Sequence, residues 1–216
     1  MPLYAIILLL IGILTIGVLV AYIIKWSKDY YKPDASHTKI SDRDLLELIA
    51  KEKDGLLNVE RVMKLTKLTK AEAKKRFAIL RQKGLVKVST SGGGMRYYYS
   101  LMQPLSEGPY PSLSSDPFLT LGDLMALFKH FDYRLSIQDI CLATNLPVAV
   151  ITTEMKHFIK ENIVEKLFQM MPDGMNSKTF YILKGEYRND PEKYLEMEEE
   201  INLDLSKLYS RHKQSR

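Results

Sequence analysis

Two stretches of this chain superpose without a gap at an offset of 78 residues, and that self-similarity constrains the fold more than any other feature. Asp42 falls on Thr120, Leu46 on Leu124, Ile49 on Leu127 and Leu57 on Leu135. Further along, Val59 falls on Ile137, Val62 on Ile140, Thr66 on Thr144, Phe77 on Met155, and Leu85-Val86 on Ile163-Val164. The agreement lies in apolar position and cap chemistry rather than in identity, which is what a shared core demands. The chain holds one fold twice.

Each copy reads as helix, short strand, helix, turn, helix and hairpin. In the first, Asp42 is the expected cap of a helix carrying Leu45, Leu46, Leu48 and Ile49 and ending near Gly55. Asn58 caps a second short helix, and Thr69-Lys-Ala-Glu72 has capping-box form at the start of a third. Gly84 supplies the left-handed stop, and Leu85–Thr90 and Arg96–Leu101 alternate as strands. The second copy repeats this with Thr120, Ser136-x-x-Asp139, a third helix from about Pro147 to Glu161, and Asn162 in place of Gly84. Its strands are expected at Ile163–Phe168 and Thr179–Leu183.

This order, met twice, resembles the winged helix-turn-helix superfamily. The likeness covers Ser41–Leu101 and a little more of the second copy, residues 118–188. It implies that the third helix of a copy lies in a DNA groove while the hairpin touches the neighbouring backbone.

Ahead of the repeats, Leu3 to Ile24 runs for 22 residues without a charge. A helix of that length spans about 33 Å, enough for a hydrocarbon core of roughly 30 Å. No basic residue precedes the run and no small-x-small site follows it, which argues against a cleaved signal peptide. Lys25, Lys28 and Lys32 come next, interleaved with Trp26, Tyr30 and Tyr31. Lysines beside a span mark the cytoplasmic side, so the N-terminus is expected outside and the rest of the chain in the cytoplasm. The expected architecture is α+β. A transmembrane helix (1–24) and a juxtamembrane linker (25–40) precede two winged domains (41–101 and 118–188) joined by a Pro- and Ser-rich linker (102–117). A C-terminal helix and tail (189–216) complete it.

Charge separates the copies. Residues 41–101 hold 14 Lys/Arg against 7 Asp/Glu, whereas 118–188 hold 8 against 8. Within Lys64–Lys87 there are nine basic residues and one acid, Glu72, the footprint expected of phosphate binding. At 100° per residue Ala73, Phe77 and Leu80 share the core side of the third helix. The opposite side presents Ala71, Lys75, Ala78 and Gln82, flanked by Lys74 and Arg81. Small alanines permit close approach to a groove, lysines reach phosphates or guanine edges, and Gln82 has the donor and acceptor to pair with adenine. Lys67 and Lys70 extend the stripe at the helix start, and Lys87 and Arg96 stand on the hairpin. These ten residues form the expected DNA contact surface, with a solvated basic face as the bland alternative.

The outward face of the second copy's third helix carries Ala149, Thr153, Lys156 and Lys160 with Glu154 and Glu161 nearby, and Pro147 removes the cap hydroxyl. This copy is expected to hold a protein partner, a second subunit or its neighbour. The tail from Asp190 to Tyr209 spaces Tyr194, Met197, Ile201, Leu205 and Leu208 as one apolar stripe, either packed on the second copy or used for self-association.

One cysteine, Cys141, excludes a disulfide framework, and four scattered histidines give no metal-ligand spacing. Cys141 sits between Ile140 and Leu142 and reads as a core residue. No catalytic constellation, metal site or cofactor motif is legible, and Gly92-Gly93-Gly94 lies between strands rather than before a helix, so it is no phosphate loop. The expected function is non-enzymatic: a membrane-anchored tandem protein that binds double-stranded DNA through its first winged domain, as a transcriptional regulator or a DNA–membrane tether. The alternative is a membrane-anchored scaffold whose winged domains bind proteins.

Overall fold

The computed structural model describes residues 12–22, 35–91, 93, 96–170, 177–190, 193 and 196–214. The chain divides into two units, Met1–Lys32 and Pro33–Arg216. In the first, residues 12–22 are helical. Ile13, Leu14, Ile16, Val18, Leu19 and Val20 are exposed along that helix, and the Thr15 hydroxyl donates to the Gly12 carbonyl at 2.9 Å, satisfied within the helix. Among the described residues no helix is long and apolar enough to cross a membrane. Of the expected span, Leu3 to Ile24, the described residues cover 12–22, half of its length, and its lysine flank lies outside them.

The second unit opens with a 3-10 turn, Ala35–Thr38. The first helix, α1 (Asp42–Lys51), is capped by Ser41, whose hydroxyl accepts the Asp44 N–H while the Asp44 carboxylate accepts the Ser41 N–H. The cap expected of Asp42 is therefore corrected by one residue, and the helix stops at Lys51 rather than near Gly55. The reason lies in Asp42 itself, which is buried and committed elsewhere. A strand of two residues, β1 (Leu57–Asn58), leads into α2 (Val59–Leu65), whose first turn the Asn58 side chain caps through the Arg61 N–H. Thr69 and Glu72 close a capping box on α3 (Lys70–Gln82). Gly84, at φ 69°, then makes the left-handed turn that returns the chain as a hairpin.

That hairpin is β2 (Val86–Thr90) and β3 (Tyr97–Leu101), antiparallel, with β1 on the far side of β3 in the order β1-β3-β2. Its register sets Val86 against Leu101 and Val88 against Tyr99. Tyr99 stacks flat on Phe77 of α3, with ring centroids 3.8 Å apart. The alternate face then carries Lys87, Ser89, Tyr98 and Ser100.

The second copy runs through α4 (Leu121–His130), α5 (Ile137–Thr144), α6 (Val148–Lys160), β4 (Val164–Met170) and β5 (Ser177–Leu183). Thr120 caps α4, Ser136 and Asp139 box α5, and Asn162 adopts φ 64° where Gly84 stands in the first copy. Leu135 bridges Tyr181 as Leu57 pairs Tyr99. The offset of 78 holds from the short strand through both third helices. It slips at the first helix, since the caps are Ser41 and Thr120. It slips again at the hairpin, where β4 and β5 are each seven residues long against five in β2 and β3.

The two copies share one continuous core, from Leu45, Phe77 and Leu80 in the first to Leu124, Phe128, Met155 and Phe158 in the second. α3 packs against α6, and α1 against α5. Both expected linkers are built into this body where the structure describes them. Ser36 is buried, and the Ile40 carbonyl accepts from the Arg76 guanidinium at 2.9 Å. Between the copies, the Pro104 carbonyl accepts from Gln138 Nε2 at 2.9 Å, and Ser114 donates through backbone and hydroxyl to Asp123. Polar, Pro-rich composition thus marks a segment without regular structure here, rather than a free spacer.

After β5 come a short helix, α7 (Gly185–Asn189), and the C-terminal helix α8 (Glu198–Gln214). The helix expected from Asp190 begins later, because Asp190 terminates α7 with φ −137° and ψ 77°. Ile201 and Leu205 are buried, and Asn202 Oδ1 accepts the Leu121 N–H at 2.9 Å, so α8 packs on α4. Tyr194 of the expected stripe lies outside the described residues.

Candidate nucleic-acid interface

The third helix of the first copy carries two different basic surfaces, and burial separates them. Ala73, Phe77 and Leu80 are fully buried. Arg76 joins them on the α6 side, its side chain 1% exposed. Its guanidinium donates twice to Asp42 Oδ1, at 3.0 Å from Nε and 2.7 Å from Nη2. The other Asp42 oxygen accepts the Val148 N–H at 2.8 Å. Val148 is the first residue of α6, the helix whose cap position is Pro147 and which has no side-chain cap of its own. A carboxylate of the first copy therefore caps a helix of the second and neutralises an arginine beneath it.

Around the remaining arc the side chains meet solvent. Lys67, Lys70, Ala71, Lys74, Arg81 and Gln82 are exposed, while Lys75 and Ala78 are half-buried. Glu72, the lone acid on this helix, is engaged: both its oxygens accept from Lys39 Nζ, at 2.7 and 2.8 Å, and one accepts the Thr69 N–H. The Lys39 ammonium, followed by the Thr69 N–H, holds the Glu72 carboxyl below its ordinary range. Among the described residues Lys67, Lys70, Lys74 and Arg81 form no ion pair, so the arc keeps its positive charge. Arg81 stands near the half-buried Tyr99 phenol, which burial pushes up and the guanidinium pulls down.

Lys87 is half-buried on β2, on the strand face away from Val86 and Val88. Arg96 is exposed ahead of β3, its backbone paired with Ser91. The structure thus gathers Lys70, Ala71, Lys74, Ala78, Arg81 and Gln82 on one helix surface, with Lys67 in the turn before it and Lys87 and Arg96 on the hairpin.

Three features escape the sequence pattern. Arg76 counts toward the basic stripe by composition but belongs to the interior; it sits 100° from Phe77, at the edge of the apolar arc. Tyr97, 53% exposed, offers an aromatic ring at the start of β3. Lys83, at the end of α3, is half-buried, and its ammonium is held below the usual lysine range by burial first and then by Lys156 and Lys166 of the second copy. Cys141 is fully buried, and burial raises its thiol well above the ordinary value, the reverse of an activated nucleophile. No group of metal-binding side chains occurs among the described residues. Compared with known proteins, the sequence matches no family model and no curated protein.

Proposed function

We propose that this chain is a membrane-tethered, non-enzymatic protein that holds duplex DNA, its two copies being winged helix-turn-helix domains and its first copy the DNA-binding one. One observation carries the reading: the exposed arc of α3 bears Lys70, Lys74 and Arg81 free of ion pairs, with only alanines between them and Glu72 already neutralised by Lys39. Such an arc fits a phosphate-lined groove, where each lysine releases a counterion on contact. The charge-free run from Leu3 to Ile24, helical over residues 12–22 with its apolar side chains outward, supports the bilayer anchor. Lys25, Lys28 and Lys32 support a cytoplasmic position for the rest. A scaffold reading draws on a different feature, the exposure of Phe168 (65%) and Met170 (76%) on the second hairpin, an apolar pair suited to a protein partner.

Replacing Lys74 and Lys75 together by Ala separates the two. Helix propensity is retained and the buried side of α3 is untouched. Duplex affinity falls, and the plot of log affinity against log salt becomes shallower by roughly two if both lysines meet phosphates. Parental affinity and slope in this variant would overturn the DNA reading in favour of the scaffold.

A further inference from the structure

β4 is the outer strand of the second hairpin, and among the described residues it pairs with β5 alone. Its register runs unbroken through all seven residues, with no bulge and no proline to blunt the edge. Main-chain bonds fix which groups that edge offers. Tyr181 of β5 exchanges both of its bonds with Leu135, at 3.0 and 2.7 Å, on the side away from β4. Lys166 stands opposite Tyr181, so the alternation of an antiparallel ladder turns its N–H and C=O outward, and those of Phe168 and Met170 with them. Val164, the next in that series, is buried, so the open edge runs from Glu165 to Met170. Phe168 and Met170 are exposed on the strand face they share with Lys166, whose Nζ rests 4.6 Å from the Phe168 ring. The corresponding strand of the first copy, β2, is five residues long and ends in the polar Ser89 and Thr90.

An edge with unbonded main-chain groups beside exposed apolar side chains is a template for another strand. The occupant this edge fits is a second molecule of the same chain, because the segment is complementary to itself in one register. With a two-fold axis at Phe168, the two Phe168 side chains face each other and Lys166 of each chain lies opposite the partner's Met170. Every outward N–H and C=O of Lys166, Phe168 and Met170 then finds a mate. An axis at Lys166 sets two ammonium groups directly opposite, which is destabilising. An axis at Leu167 makes the buried Val164 the mate of Met170. An axis between two residues sets outward groups against inward ones. We propose that the chain forms a two-fold dimer by antiparallel pairing of β4 with β4, which joins two hairpins into one four-stranded sheet and brings the Phe168 and Met170 side chains of both molecules together. Pairing over so short an edge covers less surface than an obligate dimer does, so the association is reversible and depends on concentration. The inference stands apart from the DNA reading, since α3 plays no part in it, and it gives the exposed apolar pair an occupant other than an unrelated protein.

The test follows the full chain in a density-matched detergent by sedimentation equilibrium over a range of concentrations. The parental chain is expected to pass reversibly from monomer to dimer. Phe168→Lys sets like charges across the axis at an exposed position, and the dimer is expected to be lost while the thermal midpoint stays near the parental one. Lys166→Pro removes an outward N–H that β5 does not use and leaves Phe168 and Met170 in place, so it too is expected to be monomeric and folded. Should it unfold, Phe168→Lys alone decides. Hydrogen exchange gives the register: the Lys166, Phe168 and Met170 amides slow as the parental concentration rises, whereas the Leu167 amide, bonded to β5, is slow throughout. A parental chain that stays monomeric would overturn the inference and leave the edge to a strand of another protein. A dimer that survives in folded Phe168→Lys or Lys166→Pro would also overturn it, and would move self-association to α8 or to the apolar N-terminal run.

Discussion

Glu154 lies in the second turn of α6, 5% exposed, with one carboxylate oxygen accepting the Leu119 N–H at 3.1 Å. Burial pushes its carboxyl up from 4.5 to about 8, against the smaller pull of that N–H in the other direction. The folded chain therefore binds this proton more tightly than the unfolded chain, so the protonated form stabilises the fold. That stabilisation is complete below about 4.5 and is lost as pH rises toward about 8. Across that interval the slope is about 1.4 kcal/mol per pH unit, so roughly 3 kcal/mol has gone by neutrality. Glu154→Gln keeps an acceptor for the Leu119 N–H and has no proton to lose. Urea unfolding of Pro33–Arg216 at intervals from pH 4.5 to 8.5 is the assay. The stability of the variant relative to the parent should climb by roughly 3 kcal/mol between the acid end and pH 7, then level off beyond about 8. Parallel pH profiles for the two chains would refute the reasoning and place the carboxylate in contact with water or an unrecognised cation.

Asp42→Ala strands the Arg76 guanidinium in the interior and leaves the Val148 N–H without its acceptor. A loss of about 3–5 kcal/mol is expected in thermal or urea unfolding, and a loss typical of exposed substitutions, below about 0.5 kcal/mol, would contradict the bridge. Cys141, buried with a raised thiol, should resist a thiol-exchange reagent in the native chain and react once urea unfolds it. Labelling in native buffer at the unfolded rate would show that α5 opens locally.

Local chemistry was the legible part of this chain. Asn58, Thr69, Thr120 and Ser136 cap the helices where their spacing to the next apolar residues predicts, and Gly84 and Asn162 both turn left-handed. The helix period alone identified Ala73, Phe77 and Leu80 as buried. What failed was non-local. Ser41 took the cap from Asp42 because Asp42 pairs with an arginine 34 positions away, and no periodicity encodes that partner. Likewise Lys83 ends α3 half-buried against the second copy, and nothing in the spacing of the chain tells that Lys156 and Lys166 act on its charge. The segment 102–117 misled in another way: its prolines and serines forbid helix and strand, yet its polar atoms still find partners in the second copy.

The cap that Asp42 lends to α6 makes the repeats unequal parts of one machine rather than spare copies of each other. Pro147 offers no side-chain acceptor, so the second third-helix begins properly only when the first copy is already in place. The loan runs one way, because α3 opens on its own Thr69. Cutting the chain between the copies to assign a task to each half would remove a helix cap from one half and expose a charged pair in the other. The indivisible unit is the tandem, and a single codon, that of residue 42, is held in common by both of its halves.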